Sequence, residues 1–298
     1  MIIKARNIIQ YLRQTSQTIY HKKDFFWLFI WTIGIFFLWI WNLLFLNESD
    51  FEQIKLGLFN TFVISFLVVF ISTFSGWIFG IMLYFLEKSK WKIVYTMITF
   101  FINIIRSIPQ IIGILLFYYF ITILIQKEIL NEIYLIIFLM AAAISVFQFL
   151  EIVDLIGERI HYYRQSDFFD AMLVCGIKER VIINSEILRK SSIGHILNKL
   201  IALFGSTIFL QCSVDFIISV GLSTKVSAVN FPVTLGNLLA RIDSKQDILA
   251  IGHTLMNPSY LSNLFFEHLQ GITISFIIVF SLLCIYKIAD GLSARLEL

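Results

Sequence analysis

The sequence predicts an all-α, polytopic membrane protein, and two observations lead to this class. Hydrophobic residues make up 58% of the 298-residue chain and charged residues only 14%, whereas about a quarter of the residues in an average soluble domain are charged. Apolar runs of about 20 residues recur along the chain, each long enough to cross about 30 Å of hydrocarbon as a helix. We therefore expect one helical membrane domain rather than two soluble ones.

Six crossings are predicted from these runs. The third apolar region, residues 93–125, is too long for one span and contains Pro109, which would kink or end a helix because it removes a backbone hydrogen bond. Residues 93–106 are accordingly expected to lie near the cytoplasmic interface. The predicted crossings are residues 25–46, 58–86, 107–125, 133–150, 197–220 and 269–288.

The Lys and Arg residues orient these spans, because cytoplasmic loops carry the excess of positive charge. All but five of the 23 Lys and Arg residues fall on the side that holds the N-terminus. The five on the other side are Lys55, Lys127, Lys225, Arg241 and Lys245. Both termini and residues 151–198 are therefore predicted to be cytoplasmic.

The chain is predicted to divide near residue 56. Residues 1–56 would comprise a cytoplasmic segment, the first span and a short external loop, and residues 57–298 a core with the other five spans. At about 22 residues the first span exceeds the apolar region of a typical signal peptide, so we expect a retained anchor.

Composition and missing motifs argue against several functions. Cys175, Cys212 and Cys284 lie far apart with no CxxC, so neither a disulfide framework nor a metal site is expected. The formal charge of +3 is small for nucleic-acid binding. Without a GxxxxGK[ST] loop the chain is not expected to bind ATP itself, and without HExxH or GxSxG an intramembrane enzyme has no motif in its favour.

A short motif lies in the predicted cytoplasmic segment between the fourth and fifth spans. It reads Asp170, Ala171, Met172, three further residues and then Gly176, followed by Ile177. We interpret it as a short helix, a turn that glycine permits because it tolerates positive φ, and a second helix. Such an element forms a rigid projection that fits a cleft on a partner, although an ordinary amphipathic helix with a glycine C-cap would give the same residues.

This motif resembles the coupling loop of ABC-importer permeases, written EAA, three residues, glycine, nine residues and I-x-L-P. The acidic, small and glycine positions are filled as described. Further on, Leu188 fits, whereas Glu186 and Arg189 stand where isoleucine and proline are usual, so the match is partial. The resemblance implies that this segment, with Glu179 and Arg180, docks on an ATPase.

Four other segments resemble the same family at lower specificity. Residues 106–109 read R-S-I-P, as at the cytoplasmic entry to a span in importer permeases. Residues 219–222 and 234–239 resemble the "FLGLG … WGNML" stretch of peptide and nickel permeases. Residues 289–296 resemble the "GDGLRDAL" ending of that subfamily and also "DLLSARLR" of phosphonate permeases. The "HPLGTD…GRD" segment usual in C-type peptide permeases is missing, since only residues 47–55 connect the first two spans.

The resemblance implies the transmembrane subunit of an ABC importer with the type I fold, in a bacterial cytoplasmic (inner) membrane, working by alternating access. It implies two ABC ATPase subunits that bind ATP and Mg, a second identical or homologous permease, and an extracytoplasmic solute-binding protein touching residues 223–267. No cofactor is expected on this chain and no nucleic acid as partner. Peptide is favoured as substrate over nickel, phosphonate or methionine, and an intramembrane enzyme or a membrane scaffold is the alternative class.

Polar side chains within the spans are candidates for the translocation path, because they are costly in lipid and tend to face a pathway or a partner. Asp215 and Gln211 are predicted to line the path, where the acid could meet the amino group of a peptide or another cation. Alternatively, Asp215 lies shallow enough to be hydrated or pairs with a neighbouring helix. Gln110 and Gln148 are weaker candidates and are more typical of interhelical hydrogen-bond partners.

Small residues recur every fourth position on the second span, at Ser72, Gly76 and Gly80. They give one face of the helix a smooth surface that another helix can approach closely. We predict a packing seam there, either within the chain or against a second permease.

Overall fold

The computed structural model describes residues 23–221, 231–263 and 269–296. These residues form helices and short connections, with no β-strand among them, and the predicted all-α class is confirmed. The predicted cytoplasmic segment before residue 23 and parts of the predicted external loop over 223–267 lie outside the described residues.

The described helices follow the predicted spans in order. They are α1 (Lys23–Phe45), α2 (Glu48–Lys88), α3 (Lys92–Ser107), α4 (Gln110–Gln126), α5 (Ile133–Arg164), α6 (Asp167–Val174), α7 (Glu179–Val181), α8 (Ile193–Gly221), α9 (Leu235–Leu239), α10 (Ile242–Met256) and α11 (Leu269–Leu296). A π-helix, Ile182–Ser191, continues α7, and a 3-10 turn, Pro258–Tyr260, follows α10.

Within the described part of the chain, five helices are long and apolar enough to cross a membrane: α1, α2, α5, α8 and α11. The helices α3 and α4 pass the same test together but are bent by 94° at Pro109, so they add a sixth crossing if the pair forms one span. The break predicted at this proline is confirmed. These helices indicate a multi-pass membrane protein.

Several helices extend beyond their predicted spans, α2 and α5 the furthest. Residues 48–55, expected to be a loop, form the first turns of α2, and α5 continues through residues 151–164, expected to belong to a cytoplasmic loop. Hydropathy marks where a helix leaves the hydrocarbon, whereas a helix ends only where its backbone is capped or broken. At 41 residues, α2 is about 60 Å long, twice the hydrocarbon thickness.

The first and last helices pack side by side in opposite directions. Three polar contacts fix their register from one end to the other. They are Arg295 Nη1 to Asp24 Oδ2 at 3.0 Å, Trp31 Nε1 to Ser281 Oγ at 3.0 Å, and Thr273 Oγ1 to Asn42 Oδ1 at 2.8 Å. Residues 24 and 295 therefore lie at the same end of the bundle.

The small residues of α2 form a seam with α5. A Cβ added to Gly76 would lie 2.6 Å from Ile152 Cβ, and one added to Gly80 would lie 2.8 Å from Ile156 Cγ2. Ser72 is fully buried one turn earlier. Of the two predicted arrangements, the structure has the seam within the chain. The small side chains on this face of α2 let α5 approach closely.

Candidate functional site: a helical hairpin and a buried polar cluster

The Asp170–Gly176 motif forms a helical hairpin, residues 167–181, at one end of the bundle. After α6, Gly176 has φ +81°, a conformation that glycine adopts without steric cost. The N–H of Ile177 bonds to the Met172 carbonyl at 3.2 Å and the N–H of Gly176 bonds to the Leu173 carbonyl at 2.9 Å, which is the Schellman pattern of a helix end. The expected helix, glycine turn and second helix are therefore present.

Apolar side chains on the inner face of the hairpin attach it to the bundle. Phe169 is only 3% exposed, and Met172 and Ile177 pack beside it on a cluster formed by the end of α5, the π-helix and the start of α8. Because these contacts span several elements, the hairpin is positioned by the bundle rather than extending freely from it.

Glu179, the first residue of α7, ties the hairpin to the end of α2. Its carboxylate accepts hydrogen bonds from Lys88 Nζ at 2.8 and 3.0 Å and from Tyr84 Oη at 2.6 Å. Partial burial by itself would raise the pKa of this carboxyl, but the bonds from Lys88 and Tyr84 hold the pKa below its usual value. Glu179 is therefore charged at neutral pH and bound to α2.

Arg180 also faces α2. Its guanidinium lies 5.4 Å from the centre of the Phe85 ring, within the range of a cation–π contact. One turn later, Asn184 Oδ1 accepts a hydrogen bond from Trp77 Nε1 at 3.1 Å. Both Glu179 and Arg180, predicted to meet an ATPase, thus use their side chains to hold the hairpin against α2.

The outer face of the hairpin remains exposed. Asp170 and Ala171 are exposed on α6, and Val174 at its tip is 89% exposed. The other exposed apolar or sulfur-bearing side chains of this face are Phe168, Leu173 and Cys175. This face offers apolar area next to a carboxylate, an arrangement that can fit a groove on another protein.

The π-helix that follows the hairpin was not predicted. Its inward residues Ile182, Ile183, Ile187 and Leu188 are all fully buried. The N–H of Ser192 bonds to the Ile187 carbonyl five residues back, at 2.8 Å. A π-helix of 10 residues is unusual, since most are single turns that often mark functional sites. No residue pattern in the sequence signals this wider helix.

Asp215 lies in a buried polar cluster beside the first half of α2, away from the hairpin. Its Oδ2 accepts a hydrogen bond from Thr234 Oγ1 at 2.6 Å, and Gln211, one turn earlier on α8, accepts a weak bond from Ser65 Oγ at 3.5 Å. Asp215 is buried, so its side chain meets a neighbouring segment, as in one of the two alternatives that the sequence left open.

Helix α9 closes this cluster by packing back into the bundle. The N–H of Leu235 bonds to Thr61 Oγ1 at 3.0 Å and the Val233 carbonyl accepts from Asn60 Nδ2 at 2.8 Å. A Cβ added to Gly236 would lie 2.5 Å from the Cys212 carbonyl oxygen, so glycine is required for this approach. The sequence resemblance covered residues 234–239 but did not predict that they insert between α2 and α8.

The remaining two candidates for the path lie elsewhere. Gln148 is fully buried and exchanges hydrogen bonds with Ser206 of α8 at 3.2 and 3.3 Å, as expected of an interhelical partner. Gln110 lines a separate cavity of about 230 Å³ near Arg106. The four predicted residues are thus not brought together, because only Gln211 and Asp215 share a cluster.

Compared with models of known protein families and with curated proteins, the chain matches none. Its architecture defines the class instead. Several long apolar helices indicate a multi-pass membrane protein, and a helical hairpin with an exposed apolar tip projects from one end of their bundle.

Proposed function

We propose that this chain is the transmembrane subunit of an ATP-driven ABC importer and that the helical hairpin is where the ATPase docks. The observation that carries the proposal is the combination of a rigid attachment and an exposed outer face. Phe169 and Glu179 hold the hairpin to the bundle, while Val174 and its neighbours are left open to a partner.

Helix α2 supplies a path by which a movement of the hairpin could reach the opposite end of the bundle. At one end of α2 Tyr84 and Lys88 bind Glu179, and in its first half Asn60 and Thr61 bind the backbone next to and within α9. Because α2 is one uninterrupted helix of 41 residues, it connects these two groups of contacts directly. Closure of two ATPases would then shift α9 and the Asp215 cluster, as alternating access requires.

The remaining parts of the proposal rest on the sequence. We assign the hairpin and both ends of the chain to the cytoplasmic side, count α3 and α4 as one of six crossings, and expect ATP and Mg on the partner. A second permease subunit and an extracytoplasmic binding protein complete the importer, and peptide is the favoured solute.

The test is to purify the full chain gently from its native membrane and identify the proteins that accompany it by mass spectrometry. Val174→Arg places a charge at the exposed tip without disturbing a packed side chain, so it should abolish recovery of an ATPase that accompanies the unaltered chain. Leu255→Arg is the matched control, since Leu255 is 82% exposed on α10, in the segment that the sequence assigns to the outer side.

Loss of the ATPase in Val174→Arg but not in Leu255→Arg is the expected result. If stable, unaltered protein brings no ATPase with it, or if both variants retain one equally, the docking role of the hairpin is wrong. The search would then turn to a membrane scaffold or an intramembrane enzyme.

A further inference from the structure

A second candidate site lies beside the hairpin end of α2. A cavity of about 380 Å³ separates helix α3 from the last turns of α2 and from the part of α5 that extends beyond its predicted span. Helix α3 lines it with Tyr95, Thr99, Asn103 and Arg106, which recur at helical spacing and form one polar face. This polar face borders the cavity, where Asn103 and Arg106 are exposed to solvent.

The opposite face of α3 is apolar and points outward. Its exposed large side chains are Ile93, Met97, Phe100, Phe101 and Ile104. Trp91, just before the helix, is also exposed, and tryptophan is enriched where membrane meets water. A helix with an apolar outer face, bent by 94° away from the next apolar helix, has the features of one lying in the membrane interface. The cavity is therefore placed at headgroup depth.

The lining of the cavity holds two arginines and two acids, Asp154 and Glu87. Arg106 forms an ion pair with Asp154 across it, which leaves Arg164, from the end of α5, as the other arginine of the lining. Arg164 lies 5.7 Å from the Tyr84 ring centre. Glu179 also feels the charge of Arg164, but its carboxylate is already bound by Lys88.

Further charged groups frame the same opening. Lys92 is not part of the lining, but it is exposed one turn before Tyr95 on the same face of α3. His161, also on the lining, has its Nε2 3.0 Å from Gln165 Nε2. Glu87 is the acid of the lining outside the Arg106 pair, and as an acceptor it suits a hydroxyl group. Apart from the Arg106–Asp154 pair, the lining thus offers the Arg164 guanidinium for an anion and the Glu87 carboxylate as an acceptor.

We propose that this cavity binds the headgroup of an anionic phospholipid whose polar end carries hydroxyls, as in phosphatidylglycerol. Arg164 and Lys92 attract the phosphodiester, Tyr95 and Asn103 can donate to it, and Glu87 accepts from a headgroup hydroxyl. The acyl chains run along the exposed apolar face of α3. Basic pockets at the ends of transmembrane helices bind such headgroups, and this proposal does not depend on the transport function.

The test measures lipid binding to the purified full chain by native mass spectrometry, with phosphatidylglycerol and phosphatidylcholine of identical acyl chains. We expect the anionic lipid to be retained preferentially. Arg164→Gln should weaken its binding about fivefold, since each basic residue near a lipid surface contributes about 1 kcal/mol. Lys127→Gln removes the same charge from the exposed end of α4 and should change nothing.

A second variant tests the cavity without altering a charge. A Cβ added to Gly157 meets no described atom within 4 Å, and Gly157 lines the cavity, so Gly157→Leu fills it and should reduce lipid binding. Gly252 has the same open surroundings on α10, and Gly252→Leu is the control.

Three results would overturn the proposal. They are equal retention of the two lipids, unchanged binding in both Arg164→Gln and Gly157→Leu, or displacement of phosphatidylglycerol by millimolar glycerol phosphate, which would identify a site for soluble phosphates rather than for a lipid.

Discussion

At the scale of single residues, Gly176 determines the shape of the hairpin. Its φ of +81° places it in the left-handed region, where a side chain with a Cβ is strained and a β-branched one most of all. An added Cβ would meet no described atom within 4 Å. The requirement for glycine here is therefore one of backbone conformation and not of space.

Because the requirement at Gly176 is one of backbone conformation and not of space, two substitutions there should behave differently. Gly176→Asn should be tolerated, because asparagine adopts positive φ readily, whereas Gly176→Val should destabilise the turn by about 1–2 kcal/mol. Amide hydrogen exchange of residues 167–181 in the purified protein measures this. Equal exchange in the two variants would contradict the strain argument and point to a steric one.

Asp215 illustrates a residue whose role could not be assigned from the sequence. An acid among apolar residues indicates a path or a partner, and the structure has a partner, the Thr234 hydroxyl 19 residues later. The bond joins α8 to the segment that begins α9, so Asp215 holds that segment in the buried cluster.

At the scale of elements, the hairpin and the end of α2 behave as one unit. Two glutamates near the turn make a matched comparison. Glu179 pairs with Lys88, 91 positions earlier on α2, while Glu186 pairs with Lys190 within the π-helix, and both acids have side chains 23% exposed. Only the first pair links two elements.

We accordingly expect Glu179→Gln to release the hairpin and Glu186→Gln to leave it in place. Exchange of the amides over 167–181 should accelerate in Glu179→Gln alone, since local pairs on a helix contribute little. Because the pKa of Glu179 is lowered in the folded protein, its contribution is present at neutral pH and is lost as the pH falls through that pKa. Unaltered protein should therefore approach the behaviour of the variant in acid, and a pH-independent difference would refute this origin.

At the scale of the whole molecule, α2 spans the distance between the two regions of interest. The hairpin adjoins its last turns, and α9 adjoins its first half, where Arg241, just after α9, also bonds to Gln53. Buried cysteines lie within the bundle at Cys212 and Cys284, while Cys175 is exposed on the hairpin. The accessibility of Cys175 can therefore show on which side of the membrane the hairpin lies.

Labelling with a membrane-impermeant maleimide should follow this arrangement. In intact cells the unaltered chain should not react, and after permeabilisation only Cys175 among the described cysteines should, because a thiol buried in the bundle is not accessible. Met256→Cys adds a thiol at a side chain 85% exposed on α10, in the segment that the Lys and Arg residues assign to the outer side, and should react in intact cells. Reaction of Cys175 from outside would reverse the orientation inferred from the Lys and Arg residues.

The sequence by itself determined those features that depend on neighbouring residues. Composition and run length indicated a helical membrane protein, Pro109 marked the break between α3 and α4, and Gly176 marked a turn with positive φ. Each follows from the local chemistry of a few positions, such as a missing N–H or a missing Cβ, and does not require knowledge of what lies beside them in space.

Only the tertiary structure decided which elements meet. The sequence predicted a smooth face at Ser72, Gly76 and Gly80, but it did not show that α5 covers this face. It likewise gave the charge of Glu179 without showing that Tyr84, 95 positions away, binds it. The insertion of α9 depends on a bond across 174 positions, between Leu235 and Thr61. Such pairings are set by the packing of whole helices against one another, and a periodic pattern specifies which face is buried without specifying its partner.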